Sequence, residues 1–151
     1  MRRRSGTVFS RAWAFPGGAV DPNDRAGGAR LSTVAARAAA RELAEEAGIV
    51  AAHNELEPLL GPIVTTDADR QFDVRFFAFW TDQSVSVRLN AAELTAHRWL
   101  SPADALHRAA DETLYVPPAT KAALAALNQK VRTGEAGTWW SSNDGGDGSV
   151  P

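Results

Sequence analysis

Three glutamates are the residues of this chain best placed to do chemistry. Glu42, Glu45 and Glu46 stand at i, i+3 and i+4 within Arg41-Glu42-Leu43-Ala44-Glu45-Glu46-Ala47-Gly48-Ile49. On a helix they share an arc of roughly 100° on one face. Carboxylates so placed repel one another unless a cation sits among them. A hard divalent ion such as Mg²⁺ takes oxygen ligands and keeps waters that phosphate oxygens can replace. Such a face is therefore a workable platform for phosphoryl chemistry. The plainer reading is a solvated acidic face, with Arg41–Glu45 as an i, i+4 ion pair contributing roughly a few tenths of a kcal/mol. Two observations argue against it. The acids lie near the end of the segment, where the helix macrodipole disfavours negative charge. An aromatic turn, Phe15-Pro16-Gly17-Gly18, stands upstream.

Those side chains need a rigid support. Residues 34–47 are almost wholly Ala, Arg, Glu and Leu, which predicts a strong helix. Ser32 or Thr33 can cap its start and Gly48 its end. Ala36, Ala40, Leu43 and Ala47 form a small apolar face opposite the acids, suited to close packing on a sheet. Residues 7–15 read as an extended segment and 21–30 as a loop. Residues 49–60 read as a connection. Strands are expected at 63–66, 72–80, 84–89 and 97–100, the second being the richest in aromatic and β-branched residues. Ser101-Pro102 opens a helix to about Ala110, and Pro117-Pro118 opens another over 119–131, with Ala123, Leu124 and Leu127 inward. The order of elements is mixed α and β, without internal repeats.

The 151 residues suit one domain, with 1–132 as the folded unit. Residues 133–151 are rich in Gly, Ser and Asp and read as a disordered tail, although it contains Trp139-Trp140. A net charge of −2 excludes nucleic-acid binding driven by bulk charge. The absence of cysteine excludes disulfides, thiolate metal sites and cysteine nucleophiles. No apolar run approaches the roughly 20 residues that span a bilayer, and the basic start lacks the apolar stretch of a signal peptide. A cytoplasmic protein is expected.

The residues around the glutamates resemble the Nudix hydrolase superfamily. Its signature runs Gly, five residues, Glu, seven residues, Arg-Glu, an apolar residue, any residue, Glu-Glu, any residue, Gly, apolar. The second half matches from Arg41-Glu42 through Glu45-Glu46 to Gly48-Ile49. Trp13-Ala14-Phe15-Pro16-Gly17-Gly18 resembles the strand and turn that open the box. Glu93 and the later His97-Arg98-Trp99-Leu100-Ser101-Pro102 resemble the strand leading to the last helices. The likeness covers about residues 9–127. It implies an α+β fold, an α/β/α sandwich around a mixed sheet. It also implies hydrolysis of a nucleoside diphosphate linked to another group, with Mg²⁺ or Mn²⁺ as cofactor. By the motif, Glu42 is the base or a shared ligand, and Glu45 and Glu46 are metal ligands. Arg41 orients the carboxylates, and Gly17 and Gly18 let backbone approach metal or phosphate. Glu93 is the candidate for a water-activating acid from a late loop. A small nucleotide substrate and a homodimer are implied as partners.

Three departures stand out. Counting back from Arg41 puts the box Gly at Gly27 and its Glu at Thr33. Counting from Pro16-Gly17-Gly18 requires about nine extra residues in the loop. The second count is preferred, since the aromatic segment before Phe15 fits the fold. It resembles a branch with an insert after Phe-Pro-Gly-Gly that includes coenzyme A diphosphatases, as does Arg70-Gln71-Phe72-Asp73-Val74-Arg75-Phe76-Phe77. The first box Glu is missing, with Thr33 in its place; Asp21 or Asp24 is a substitute from the loop. Finally, Arg2-Arg3-Arg4-Ser5 stands where a family strand should have just ended, which leaves three alternatives: a misassigned start, a truncated chain, or a sheet that lacks its N-terminal strand.

Other residues carry weaker signals. Asp73 and Arg75 alternate onto one strand face, as an exposed charge pair or with Arg75 lining a phosphate pocket. Phe72, Phe76, Phe77, Phe79 and Trp80 are core residues first and base-stacking candidates second. His53, His97 and His107 have no metal-ligand spacing and read as structural. The rival readings are a non-catalytic nucleotide-binding module of the same fold, or a truncated inactive remnant. Retention of Glu42, Glu45 and Glu46 counts against the first.

Overall fold

The run of helix formers folds as α1, Leu31–Ala47, in the computed structural model. The structure describes residues 1–3, 12–67, 70–81, 84–134 and 147–149. The helix starts earlier than Ser32 or Thr33 as caps would allow. Its first bond runs from the Val34 N–H to the Arg30 carbonyl at 3.0 Å, and Arg30 gives no side-chain cap. A cap is worth only about 1 kcal/mol, so the surrounding loop sets the start. The end is as expected: Gly48 takes the left-handed conformation at φ 68° and its N–H donates to the Ala44 carbonyl at 3.0 Å.

β2 (Leu56–Asp67) and β3 (Arg70–Phe79) form an antiparallel hairpin, in register from Leu56↔Phe79 to Asp67↔Arg70. β2 takes in residues expected as a connection. Pro58 and Pro62 hide its alternation, and the pairing absorbs them by register shifts between Pro58 and Ile63. The hairpin contacts α1 and α3 (Pro118–Thr133). β4 (Leu94–Arg98) pairs antiparallel with β1 (Arg2–Arg3) on one side and β5 (Asp147–Ser149) on the other. β5 lies within the segment expected to be disordered; Trp139 and Trp140 lie outside the described residues. The class is α+β. Every described strand pair is antiparallel, where a mixed sheet was expected.

Residues 84–89 form no strand, because their backbone is spent elsewhere. The Arg88 N–H donates to the Ala47 carbonyl at 2.8 Å and the Asn90 N–H to the Glu46 carbonyl at 3.1 Å. This segment satisfies the orphan carbonyls of the last turn of α1. Ser101 caps α2 (Pro102–Ala110) through the Asp104 N–H at 3.0 Å. Ala105, Leu114, Val116 and Leu124 form a core against Trp13, Leu100 and Leu106, and the Trp13 N–H donates to the Tyr115 carbonyl. Among the described residues no helix is long and apolar enough to cross a membrane.

Glu57 of β2 ties the hairpin to α3. It accepts from Trp80 Nε1 at 2.7 Å and from Lys130 Nζ. The Lys130 hydrogen bond, then that of Trp80, holds its carboxyl below the usual range. A depressed folded pKa stabilises above the unfolded value of about 4.3 and loses that contribution as pH falls through the folded value. The pair is partly exposed, so the contribution is below about 1 kcal/mol. Urea unfolding should therefore find Lys130→Met weaker than the parent at about pH 7 and equal to it at about pH 3. An unchanged gap at low pH would assign the effect to packing of the Lys130 stem.

Candidate active site

The Phe15–Gly18 turn is laid directly on the acidic face of α1. The Gly17 N–H donates to Glu46 Oε2 at 3.0 Å. A Cβ on Gly18 would stand 2.2 Å from Glu42 Oε1, so glycine here lets the Glu42 carboxylate lie against the turn. Phe15 anchors the turn to β3, its ring edge-on to Phe76 with centroids 6.4 Å apart.

Arg41 ties these parts together. Nη1 donates to Glu42 Oε1 at 2.8 Å and Glu45 Oε2 at 3.0 Å; Nη2 donates to the Ala19 carbonyl at 2.9 Å and Asp24 Oδ2 at 3.2 Å. The Asp24 bond is the largest cause raising the guanidinium's pKa, and it outweighs burial. One side chain thus sets the turn, the loop and two carboxylates in a fixed relation. The acids are not a uniformly solvated face. Glu46 is 2% exposed and the Glu42 side chain 13%, whereas Glu45 is 55% exposed and makes the plain i, i+4 pair.

Of the two loop acids Asp21 and Asp24, Asp24 is the one that meets Arg41. It is 6% exposed, within the 3-10 segment Pro22–Gly28, and its Oδ2 also accepts from the Asp21 N–H at 2.8 Å. Burial pushes its carboxyl up, but the Asp21 amide and Arg41 together bring it below the usual range. The sequence held a signal for this. Asp24 follows Gly18 after five residues, the box spacing itself, so the extra residues lie between the acid and the helix. Asp24→Asn keeps the shape and removes Arg41's buried counter-ion. Denaturant unfolding is expected to show a loss of about 1–3 kcal/mol, and turnover to fall about tenfold as Arg41 loses its orientation. Loss of stability with unchanged kcat would make Asp24 a fold residue only.

The other expected residues are more dispersed. Glu93 follows the segment that closes the end of α1, and its Oε1 accepts from Asn90 Nδ2 at 3.0 Å. Arg75 pairs with Asp73 at 3.4 Å on one face of β3. It lines an open cleft that reaches the turn at Gly17 and Gly18; Glu42, Glu45 and Glu46 do not line that cleft. His53, His97 and His107 lie on three separate elements, with His107 paired to Asp111 at 3.1 Å.

In kind, the donors suit a hard divalent ion: they are carboxylate oxygens only, with that of Glu42 lying close against the Gly18 backbone. They are not drawn around one point. Among the described residues no group of three or more His, Asp or Glu stands close enough to hold an ion. Arg41 engages Glu42 and Glu45, and the Gly17 N–H holds Glu46. Glu42, Glu45 and Glu46 would have to hold the ion by turning toward one another from these bonds.

Comparison with known proteins gives one match. The family model described as NUDIX domain covers residues 1–118. No curated protein and no solved structure matches the chain.

Proposed function

The chain belongs to the NUDIX domain family, and from that premise we propose a Mg²⁺- or Mn²⁺-dependent cleavage of the diphosphate in a nucleoside diphosphate linked to a further group. The family's members are hydrolases acting on phosphoric anhydrides, and this chain is one of them. The observation that carries the finer reading is the Gly17-Gly18 turn built onto Glu46 and Glu42. The bound ion supplies neutralisation of the diphosphate's charge. Glu45 and Glu46 hold it, with Glu42 as a shared ligand or as the base that takes the proton of the attacking water. Arg41 keeps Glu42 and Glu45 aimed. Gly17 and Gly18 admit the phosphate close to backbone, Arg75 meets it from the cleft, and Glu93 is the late-loop acid. The substrate is a small nucleotide and not a nucleic acid. The same reading places a homodimer in the cytoplasm, the dimer being tested by gel filtration.

The second reading is a binding module that does not cleave. It is favoured by Arg41 engaging Glu42 and Glu45 at once. Both are tested by incubating the purified chain with CoA, ADP-ribose, NADH, dinucleoside polyphosphates and nucleoside triphosphates. Product release is compared with Mg²⁺, with Mn²⁺ and with EDTA. Metal-dependent turnover is the expected result and names the substrate. A folded sample that binds a nucleotide but releases no product would support the module.

A further inference from the structure

The inserted loop carries an arginine that the turn, the helix and the acids leave uncommitted. Arg25 follows Asp24 directly, so it stands one residue from the carboxylate that orients Arg41. It is exposed and lines the cleft together with Gly17, Gly18 and Ala19. Among the described residues its guanidinium has neither a hydrogen-bond nor an ion-pair partner. The other cleft arginines are engaged: Arg75 with Asp73, and Arg98 over the Trp13 ring at 5.1 Å. The backbone around Arg25 is held. Arg37 Nη1, from α1, donates to the carbonyls of Asp24 at 3.3 Å and Ala26 at 2.7 Å, one on each side of it. The loop backbone is thus held in place, and the guanidinium it presents to the cleft is left to pair with an anion.

We propose that Arg25 binds a phosphate group of the nucleotide substrate from the inserted loop, with Arg37 as its positioning residue. This rests on the hydrolase reading and deepens it. The acidic cluster repels a diphosphate, and a cation on the cleft that takes in Gly17 and Gly18 offsets that repulsion. Arginine suits the role through its two-pronged donors to phosphate oxygens. The insert thereby becomes a specificity element as well as a spacer between Asp24 and α1.

The test is calorimetric titration of the full chain with methylene-bridged ADP, whose P–C–P link resists hydrolysis, in the presence of Mg²⁺. Arg25→Ala is expected to weaken binding about tenfold, the lower end for a charge-assisted contact. Arg30→Ala removes the same charge from the loop outside the cleft and should change binding less than about twofold. Arg37→Gln should weaken binding in the same direction, and the double variant should be no worse than Arg25→Ala alone, because Arg37 acts through Arg25. A merely structural Arg37 would give additive losses. Equal effects of Arg25→Ala and Arg30→Ala would overturn the proposal, as would absence of binding to the parent chain. Titrating inorganic pyrophosphate and AMP alongside separates the sources: loss with pyrophosphate assigns Arg25 to the diphosphate, loss with AMP alone to the nucleotide-side phosphate. With an identified substrate, Arg25→Ala should raise KM and leave kcat in place. Turnover by the parent with an unchanged KM in the variant would sink Arg25 and leave the hydrolase reading standing.

Discussion

Gly18→Ala is expected to lower kcat by about a hundredfold while costing the fold little. The added Cβ would stand 2.2 Å from Glu42 Oε1, 2.5 Å from its Cδ and 2.9 Å from Oε2. Ordinary carbon contacts begin near 3.5 Å, so something must move by about an ångström. The turn is tethered on both sides, by the Gly17 N–H on Glu46 and by Arg41 on the Ala19 carbonyl. Glu42 is the flexible partner and yields. Pushing a side chain off its rotamer costs about 0.5–1.5 kcal/mol, which a 151-residue domain tolerates. A reacting group displaced by 1 Å loses on the order of a hundredfold in rate. Thermal unfolding and kcat measured together decide the point. An unaltered kcat would show that the Glu42 carboxylate has no part in the reaction, and a collapse of stability would show that the turn is chiefly structural.

The same turn shows what the sequence made legible. The spacing of Glu42, Glu45 and Glu46 and the helix-forming run around them were enough to place the acids on one helix, because propensity and a glycine cap are local properties. Pairing the turn with that helix required the family's pattern, since nothing local to Pro16-Gly17-Gly18 says what it touches. The division of the acids was not legible. Periodicity put all three opposite the apolar face, yet Glu46 is buried and Glu45 exposed, because the turn and Arg41 cover one part of that face. Residues 84–89 failed for a related reason. Alternation marks a backbone able to pair, but theirs caps the end of α1. β2 was longer than expected because prolines and register shifts obscure a pattern that only β3, its partner, brings out. Asp24 was within reach of spacing, since it follows Gly18 after five residues, but only the structure separates it from Asp21, because its partner Arg41 lies across the insert on α1.

Glu46→Gln is expected to abolish metal-dependent turnover, by on the order of a thousandfold or more, while keeping the fold. The amide oxygen of glutamine can still accept from the Gly17 N–H that now meets Oε2 at 3.0 Å. What disappears is the charge, and burying a charge at 2% exposure is costly in itself. Stability in EDTA should therefore fall by no more than about 1 kcal/mol. The ion separates the two roles. If Glu46 holds it, saturating the parent at about tenfold over its Kd adds about 1.4 kcal/mol. For a domain of this size that is a rise in Tm of roughly 3–5 °C. Glu46→Gln should lose this rise along with activity. Glu45→Gln, at an exposed carboxylate, should lose less of it. A Glu46→Gln protein that keeps both the Mg²⁺-induced rise and turnover would make Glu46 a buried strut for the Gly17 turn, with the ion held by Glu42 and Glu45 once Arg41 lets them go.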